Sequence, residues 1–198
     1  MIAALYVERG GVYWDLEGVD PWDEARDART YAGPWPVVAH PPCSRWCQLA
    51  SVNEARYGQT IGEDGGCFEA ALEAVHRWGG VLEHPALSLA WDRFSLPRPI
   101  RGGWTGSMFA PGFSTEVSQI AYGHRARKRT WLYSCGSRLI DLDWSEPPSE
   151  AWVSWGDFDR YPDQPRLGKR EAKATPIPFR DLLLDIARSC NRNTATKP

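Results

Sequence analysis

The stretch Pro36-Val37-Val38-Ala39-His40-Pro41-Pro42-Cys43-Ser44-Arg45-Trp46 restricts the fold of this chain more than any other. A short apolar run reads as a buried strand, and two consecutive prolines stop it. Proline donates nothing to a sheet ladder and drives its predecessor out of the helical region. The strand therefore ends abruptly and presents Cys43 at its carboxyl edge, where open parallel sheets bind their ligands. A single cysteine after a strand is more often a small buried apolar residue, so the choice between thiol and filler falls to the rest of the chain.

The clearest helix comes next. Phe68, Ala71, Leu72, Val75 and Trp78 recur at helical spacing over 65–78, with Asp64 placed to cap the start and Gly79 to end it. Then Gly80-Val81-Leu82-Glu83-His84-Pro85 repeats the earlier pattern of an apolar run closing on a polar residue before proline. Strand, helix and strand in this order form a right-handed crossover with parallel strands. Cys43 and Glu83 are thus expected at one edge of the sheet. The intervening polar segment 51–64, with Gly58 and Gly62, reads as a mobile loop over the thiol.

Upstream, residues 3–7 form a brief apolar strand followed by Glu8-Arg9-Gly10-Gly11-Val12-Tyr13-Trp14, whose paired glycines allow a sharp turn or close backbone approach to a ligand. Residues 18–35 hold a short helix over 23–31 and room for little else. Downstream, 88–115 reads as a long connection. Residues 116–122 and 129–133 read as strands flanking the basic hairpin Gly123-His124-Arg125-Ala126-Arg127-Lys128, and 134–168 lack periodicity. The last helix runs through Ala187, with Thr175 as cap, Pro176 at its first position, and Ile177, Leu182, Leu183 and Ile186 toward the core. The expectation is an α/β fold: a Rossmann-like, mostly parallel sheet with helices on both faces and an antiparallel hairpin. One compact domain would span 1–190, followed by a flexible tail at 191–198.

Composition narrows the function classes. A chain of 198 residues is long enough for a single core with about 70% of its surface buried. Five cysteines, an odd number, and a start without the layout of a signal peptide point to the reducing cytoplasm. No apolar run reaches the ~18 residues a membrane span needs. The net charge of −2 argues against a generic polyanion binder, yet residues 1–30 hold seven acids against three Lys/Arg, and 93–129 hold seven Lys/Arg against one acid. One electropositive face follows. Metal ligation by His40, Cys43 and Cys47 with Cys67, His84 or His124 lacks paired short-spaced ligand motifs, so no metal is expected.

A thiolate, a carboxyl group and arginines at one sheet edge suit nucleophilic attack on a heterocycle. Sulfur adds to an electron-poor carbon, the acid protonates a ring nitrogen, and a guanidinium holds the exocyclic oxygen. Pro41-Pro42-Cys43 resembles the Pro-Pro-Cys motif of DNA cytosine-5 methyltransferases, Glu83 in Leu-Glu-His-Pro resembles the Glu of their Glu-Asn-Val motif, and Arg127-Lys128-Arg129-Thr130-Trp131-Leu132 resembles their Arg-x-Arg and following strand. Leu5-Tyr6-Val7-Glu8-Arg9-Gly10-Gly11 is similar to the family's glycine-rich cofactor loop, and Arg26-Asp27-Ala28-Arg29 to its Gly-Asp-Ile. The short size is similar to that of methyltransferase-like proteins of phages and prophages.

The resemblance implies that Cys43 attacks carbon 6 of a flipped cytosine in DNA, Glu83 protonates nitrogen 3 and Arg129 holds the base oxygen. It implies S-adenosylmethionine as methyl donor, held by Tyr6, Gly10, Gly11, Asp27 and Thr175. Arg125, Arg127 and Lys128 are the expected DNA-backbone contacts. The chain departs from the family pattern at Glu8, at Arg125 in place of Gln, at His84 in place of Asn, and in the segment of about 30 residues between Gly11 and Cys43. Two other readings stay open: the same thiol addition with deamination, another one-carbon donor or a free nucleotide, and a non-catalytic module that binds nucleic acid or a host protein.

Overall fold

In the computed structural model, which describes residues 1–153 and 163–190, the apolar runs become strands of one sheet. They are β1 (Ile2–Leu5), β2 (Val19–Trp22), β3 (Val37–Ala39), β4 (Gly80–Pro85), β5 (Thr105–Ser107), β6 (Ala110–Ser118) and β7 (Arg129–Cys135). The α-helices among the described residues are α1 (Ala50–Tyr57), α2 (Cys67–Trp78), α3 (Leu89–Arg93), α4 (Lys169–Lys173) and α5 (Ile177–Arg188). Strand order is β2-β1-β3-β4-β7-β6-β5, parallel from β2 to β4 and antiparallel from β4 to β5. These elements make one compact α/β domain around a mixed seven-stranded sheet. Among the described residues no helix is long and apolar enough to cross a membrane. The expected tail at 191–198 lies outside the described residues.

Alternation along the strands divides the core. Leu5, Val37, Ala39, Leu82, Trp131 and Tyr133 pack with Phe68, Leu72 and Val75 of α2. Their neighbours Ala4, Val38, Val81 and Leu132 pack with Phe179, Leu183 and Ile186 of α5. The crossover from β3 through α2 to β4 forms as the sequence predicts, in the register Val37↔Gly80, Val38↔Val81 and Ala39↔Leu82. Gly80 makes that register attainable: its backbone lies at φ +127°, and a Cβ there would sit 1.9 Å from the Val37 carbonyl oxygen. No side chain fits. Asp64 starts α2, accepting from the N–H groups of Gly66, Cys67 and Phe68 at 3.0, 3.1 and 2.8 Å and from the Trp46 indole at 2.8 Å. The same carboxylate therefore fixes the helix and the turn that follows Cys43.

Several expectations change. Residues 18–35 contain a strand, β2, and two short 3-10 turns, Glu24–Arg26 and Ala28–Thr30, in place of a helix over 23–31. Pro21 hides β2 in the sequence, but the strand is at the sheet edge, where a missing N–H is tolerated. The loop expected over 51–64 begins with α1, closed by Gly58 in the left-handed conformation. The connection at 88–115 contains α3, β5 and the start of β6. The strand expected at 116–122 ends at Ser118 and gives way to a 3-10 turn over Gln119–Tyr122. Thr175 does not cap α5: Pro176 takes the cap position with no side-chain cap, and Ile177 is exposed. Pro176 and Pro178 bring no N–H groups to this end, so fewer donors need a cap.

Candidate active site

The register of β3 on β4 puts the residues just past its last paired positions, His40 and Glu83, side by side. Backbone pairing holds them there, since His40 N–H still donates to the Leu5 carbonyl at 3.1 Å before Pro41 ends the ladder. Glu83 Oε2 lies 3.0 Å from His40 Nδ1, and Glu83 Oε1 lies 3.3 Å from Gln119 Nε2 at the start of the β6–β7 connection. Gln119 also donates to Thr130 Oγ1 at 3.0 Å. On the far side of the imidazole, Tyr13 Oη lies 2.9 Å from His40 Nε2. Burial alone would raise the Glu83 carboxyl, but the His40 hydrogen bond and the charges of His40, Lys128 and His84 carry it below the usual carboxylate range. Glu83 is therefore an ion, with one ring nitrogen of His40 against its carboxylate and the other against the Tyr13 hydroxyl.

Cys43 lies three residues past His40, beyond the end of β3, half-buried, in a turn closed by Trp46 and Cys47 N–H donating to its carbonyl at 3.0 and 2.9 Å. Burial pushes its thiol up, the negative charges of Glu83 and Cys47 push in the same direction, and Lys173 opposes them. Lys128 faces the same pair. Burial draws its ammonium down, whereas Glu83 and Cys43 favour the charged form, and its Nζ points to the carbonyls of Ala174 at 3.3 Å and Lys173 at 3.5 Å.

Arg129 does not join this cluster. Glu83 pairs with Leu132 across the ladder, so Leu132 and Thr130 share its face of the sheet and the odd positions Arg129 and Trp131 lie on the other. There Glu116 accepts from Arg129 Nε and Nη2 at 2.7 and 2.8 Å and from Trp131 Nε1 at 2.8 Å. Lys128, one residue earlier, has the parity of Thr130 and Leu132 and feels the charges of Glu83 and Cys43. The other two expected DNA contacts make ion pairs: Arg125 with Glu150 at 3.3 Å and Glu171 at 2.6 Å, Arg127 with Glu146 at 2.6 Å.

The expected cofactor residues divide into three places. Tyr6 has φ +60°, which breaks the alternation of β1 and packs its ring on the α2 side. Its buried hydroxyl finds no hydrogen-bond partner among the described residues, and burial raises it far above its usual pKa. Asp27 binds Arg29 through both oxygens, at 2.7 and 2.8 Å, and Arg29 reaches the Gly65 carbonyl. Gly10 and Gly11 turn the chain back toward Tyr13, with Gly10 at φ +66° and open space beside it. Thr175 lines a 180 Å³ cavity with His124, Arg125, Glu171 and Pro176. Among the described residues no group of three or more His, Cys, Asp or Glu is arranged to hold a metal ion.

His84, on the opposite face from Glu83, is structural. It is 1% exposed, holds Ser88 Oγ at 2.7 Å and touches Phe68 and Trp91. Burial lowers its pKa from 6.5 to about 4. The unfolded chain takes up this proton between those values and the native protein does not, so stability is complete above pH 6.5 and falls as pH drops toward 4. The loss from His84 alone is about 3 kcal/mol. Urea unfolding across this range should show it, and His84→Gln should flatten the slope there.

Sequence reasoning did not anticipate the contact of Tyr13 with His40, His40 or Gln119 as partners of Glu83, or Lys128 within reach of the charges of Glu83 and Cys43. Two of these had a signal. His40 follows Val38 at period two, on the face of Val81 and Glu83, and Lys128 has the parity of Thr130 and Leu132. Gln119 had none, because its place depends on where β6 ends. Comparison with protein-family models, curated proteins and solved structures finds no match for the chain.

Proposed function

We propose that this protein modifies a pyrimidine in DNA at carbon 5, in the manner of a cytosine-5 methyltransferase, through covalent addition of Cys43 to carbon 6. The observation that carries the reading is the parallel register of β3 and β4, which brings Cys43 and Glu83 out at one carboxyl edge, with Lys128 close enough to feel both their charges. Sulfur attacks carbon 6, Glu83 delivers a proton to nitrogen 3, and Lys128 takes the role of holding the base oxygen, for which Arg129 lies on the wrong face. A fixed cation and acid stabilise the charge that develops as the ring loses aromaticity. Arg125 exchanges its exposed carboxylate partners for phosphate at little cost, since such pairs are worth about 0–1 kcal/mol.

The same reading takes the sheet as Rossmann-like, with helices on both faces. The chain leaves β1 for β2 on one side and returns to β3 on the other, so the β1/β3 crevice is a topological switch point, the usual ligand site of such sheets. S-adenosylmethionine fits the residues at that crevice, where Tyr6 offers an unpartnered buried hydroxyl and Gly10 an unobstructed turn. Tyr6, Gly10 and Gly11 would hold it, with Asp27 on the Tyr6 side, whereas Thr175 lies elsewhere. Bound there, it supplies an electrophilic methyl group. The separation of Thr175 from the other expected cofactor residues favours, as second reading, the same addition with a different one-carbon donor, and calorimetry with S-adenosylmethionine separates the two.

DNA containing 5-fluorocytosine tests the enzyme class. With S-adenosylmethionine present, native protein is expected to form a complex that survives a denaturing gel, and Cys43→Ala none. No complex from native protein, or equal complexes from both, defeats the proposal.

A further inference from the structure

Behind Glu83 runs a line of groups that the addition chemistry leaves unused. Tyr13 is 3% exposed and His40 is largely covered, with contacts of 2.9 Å from Tyr13 Oη to His40 Nε2 and 3.0 Å from His40 Nδ1 to Glu83 Oε2. Gln119 donates to the remaining carboxylate oxygen. A carboxylate held by donors on both oxygens carries no proton at rest, yet protonating nitrogen 3 requires one. Resting on the reading of Cys43 and Glu83 given above, we propose that Tyr13 and His40 form a proton reservoir that charges Glu83 for each addition and recovers the proton on elimination.

The step balances as follows. His40 as imidazolium releases its Nδ1 proton to Glu83, the N–H electron pair stays on the ring, and the second ring proton remains on Nε2. Cys43 first gives its S–H proton to solvent, the S–H pair staying on sulfur; as that thiolate pair forms the S–C6 bond, the C5–C6 π pair moves to C4–C5 and the C4–N3 π pair takes the proton from the Glu83 carboxyl, whose O–H pair stays on oxygen. Elimination reverses each transfer. Tyr13 serves both states of the imidazole, because its hydroxyl donates to a bare Nε2 and accepts from a protonated one. The titratable and charged groups near this line are Cys43 beyond β3, Lys128 from the β6–β7 connection, and Arg180 and Asp181 of α5 near Tyr13, while His84, next to Glu83 on β4, points to the opposite face. His40 touches Glu83 and not the base, so it is a positioning and proton-storing residue.

The test is exchange of the cytosine carbon-5 hydrogen of duplex DNA with solvent deuterium, without any methyl donor, read by mass spectrometry of the nucleosides. Reversible thiol addition makes carbon 5 basic, so native protein is expected to catalyse the exchange. His40→Asn keeps a donor to Glu83 but stores no proton. It should slow exchange roughly tenfold, below the ~10²–10⁴ of a direct acid–base group, and move the alkaline limb of the pH profile to lower pH. Imidazole in the buffer should restore His40→Ala, and Tyr13→Phe should change in the same direction as His40→Asn. Native exchange with an unaltered profile in His40→Asn, or a loss equal at every pH and unmoved by imidazole, overturns the reservoir and leaves the Cys43 chemistry standing. Absence of exchange in native protein removes both.

Discussion

In Glu83→Gln protein, Cys43 should react faster with iodoacetamide at neutral pH than in the native chain, while its adduct with 5-fluorocytosine DNA forms about 10³-fold more slowly. The two readouts move in opposite directions for one reason. After burial, the Glu83 charge is the largest influence raising the thiol, so replacing carboxylate by amide frees more thiolate for a small alkylating agent. The same replacement removes the only proposed proton donor to the base. Peptide mass spectrometry after timed alkylation measures the first rate and gel densitometry the second. A substitution that merely loosened the site would speed alkylation of neighbouring Cys47 as well, so the change at Cys43 is read relative to Cys47. A parallel fall in both Cys43 rates would show that Glu83 does not act on the thiol as described.

Lys128→Met should slow adduct formation about 10²-fold, as loss of one preorganised donor to developing charge does, and Arg129→Met should leave it within a few-fold. The contrast follows from strand parity. Lys128 feels Glu83 and Cys43, while Arg129 faces away and shares Glu116 with Trp131. Arg129→Met therefore acts on stability: Glu116 is 5% exposed and loses two charge-assisted bonds, at a cost of about 2–4 kcal/mol in urea unfolding. The opposite pattern, chemistry lost with Arg129 and kept with Lys128, would restore the assignment that motif resemblance alone suggests.

The sequence was most legible where a single residue type has a single physical use. Prolines at 41, 42 and 85 marked the strand ends, and the spacing from Phe68 to Trp78 fixed α2, so the parallel crossover and the shared edge of Cys43 and Glu83 followed before any coordinates. Arg129 lies on the face opposite Glu83 for a reason of equal simplicity. A motif counts residues along the chain, but a strand turns each successive side chain to the opposite face, and a slip of one position exchanges Lys128 for Arg129. Strand β2 was hidden by Pro21, because propensity does not reveal that a run will be an edge. Tyr13 and His40 were present as letters, one after a glycine turn and one before a proline pair; only the pairing of β1, β3 and β4 brings them into line with Glu83. The cofactor residues were least legible, since the left-handed backbone at Tyr6, unusual for an aromatic residue, carries it to the α2 side and away from Thr175.

The most direct measurement of the central claim is tandem mass spectrometry of peptides from native protein incubated with 5-fluorocytosine DNA and S-adenosylmethionine, then digested with protease and nuclease. The nucleotide mass is expected on the sulfur of Cys43. A modified Cys47 or Cys67, or a digest in which Cys43 remains unmodified, would contradict it.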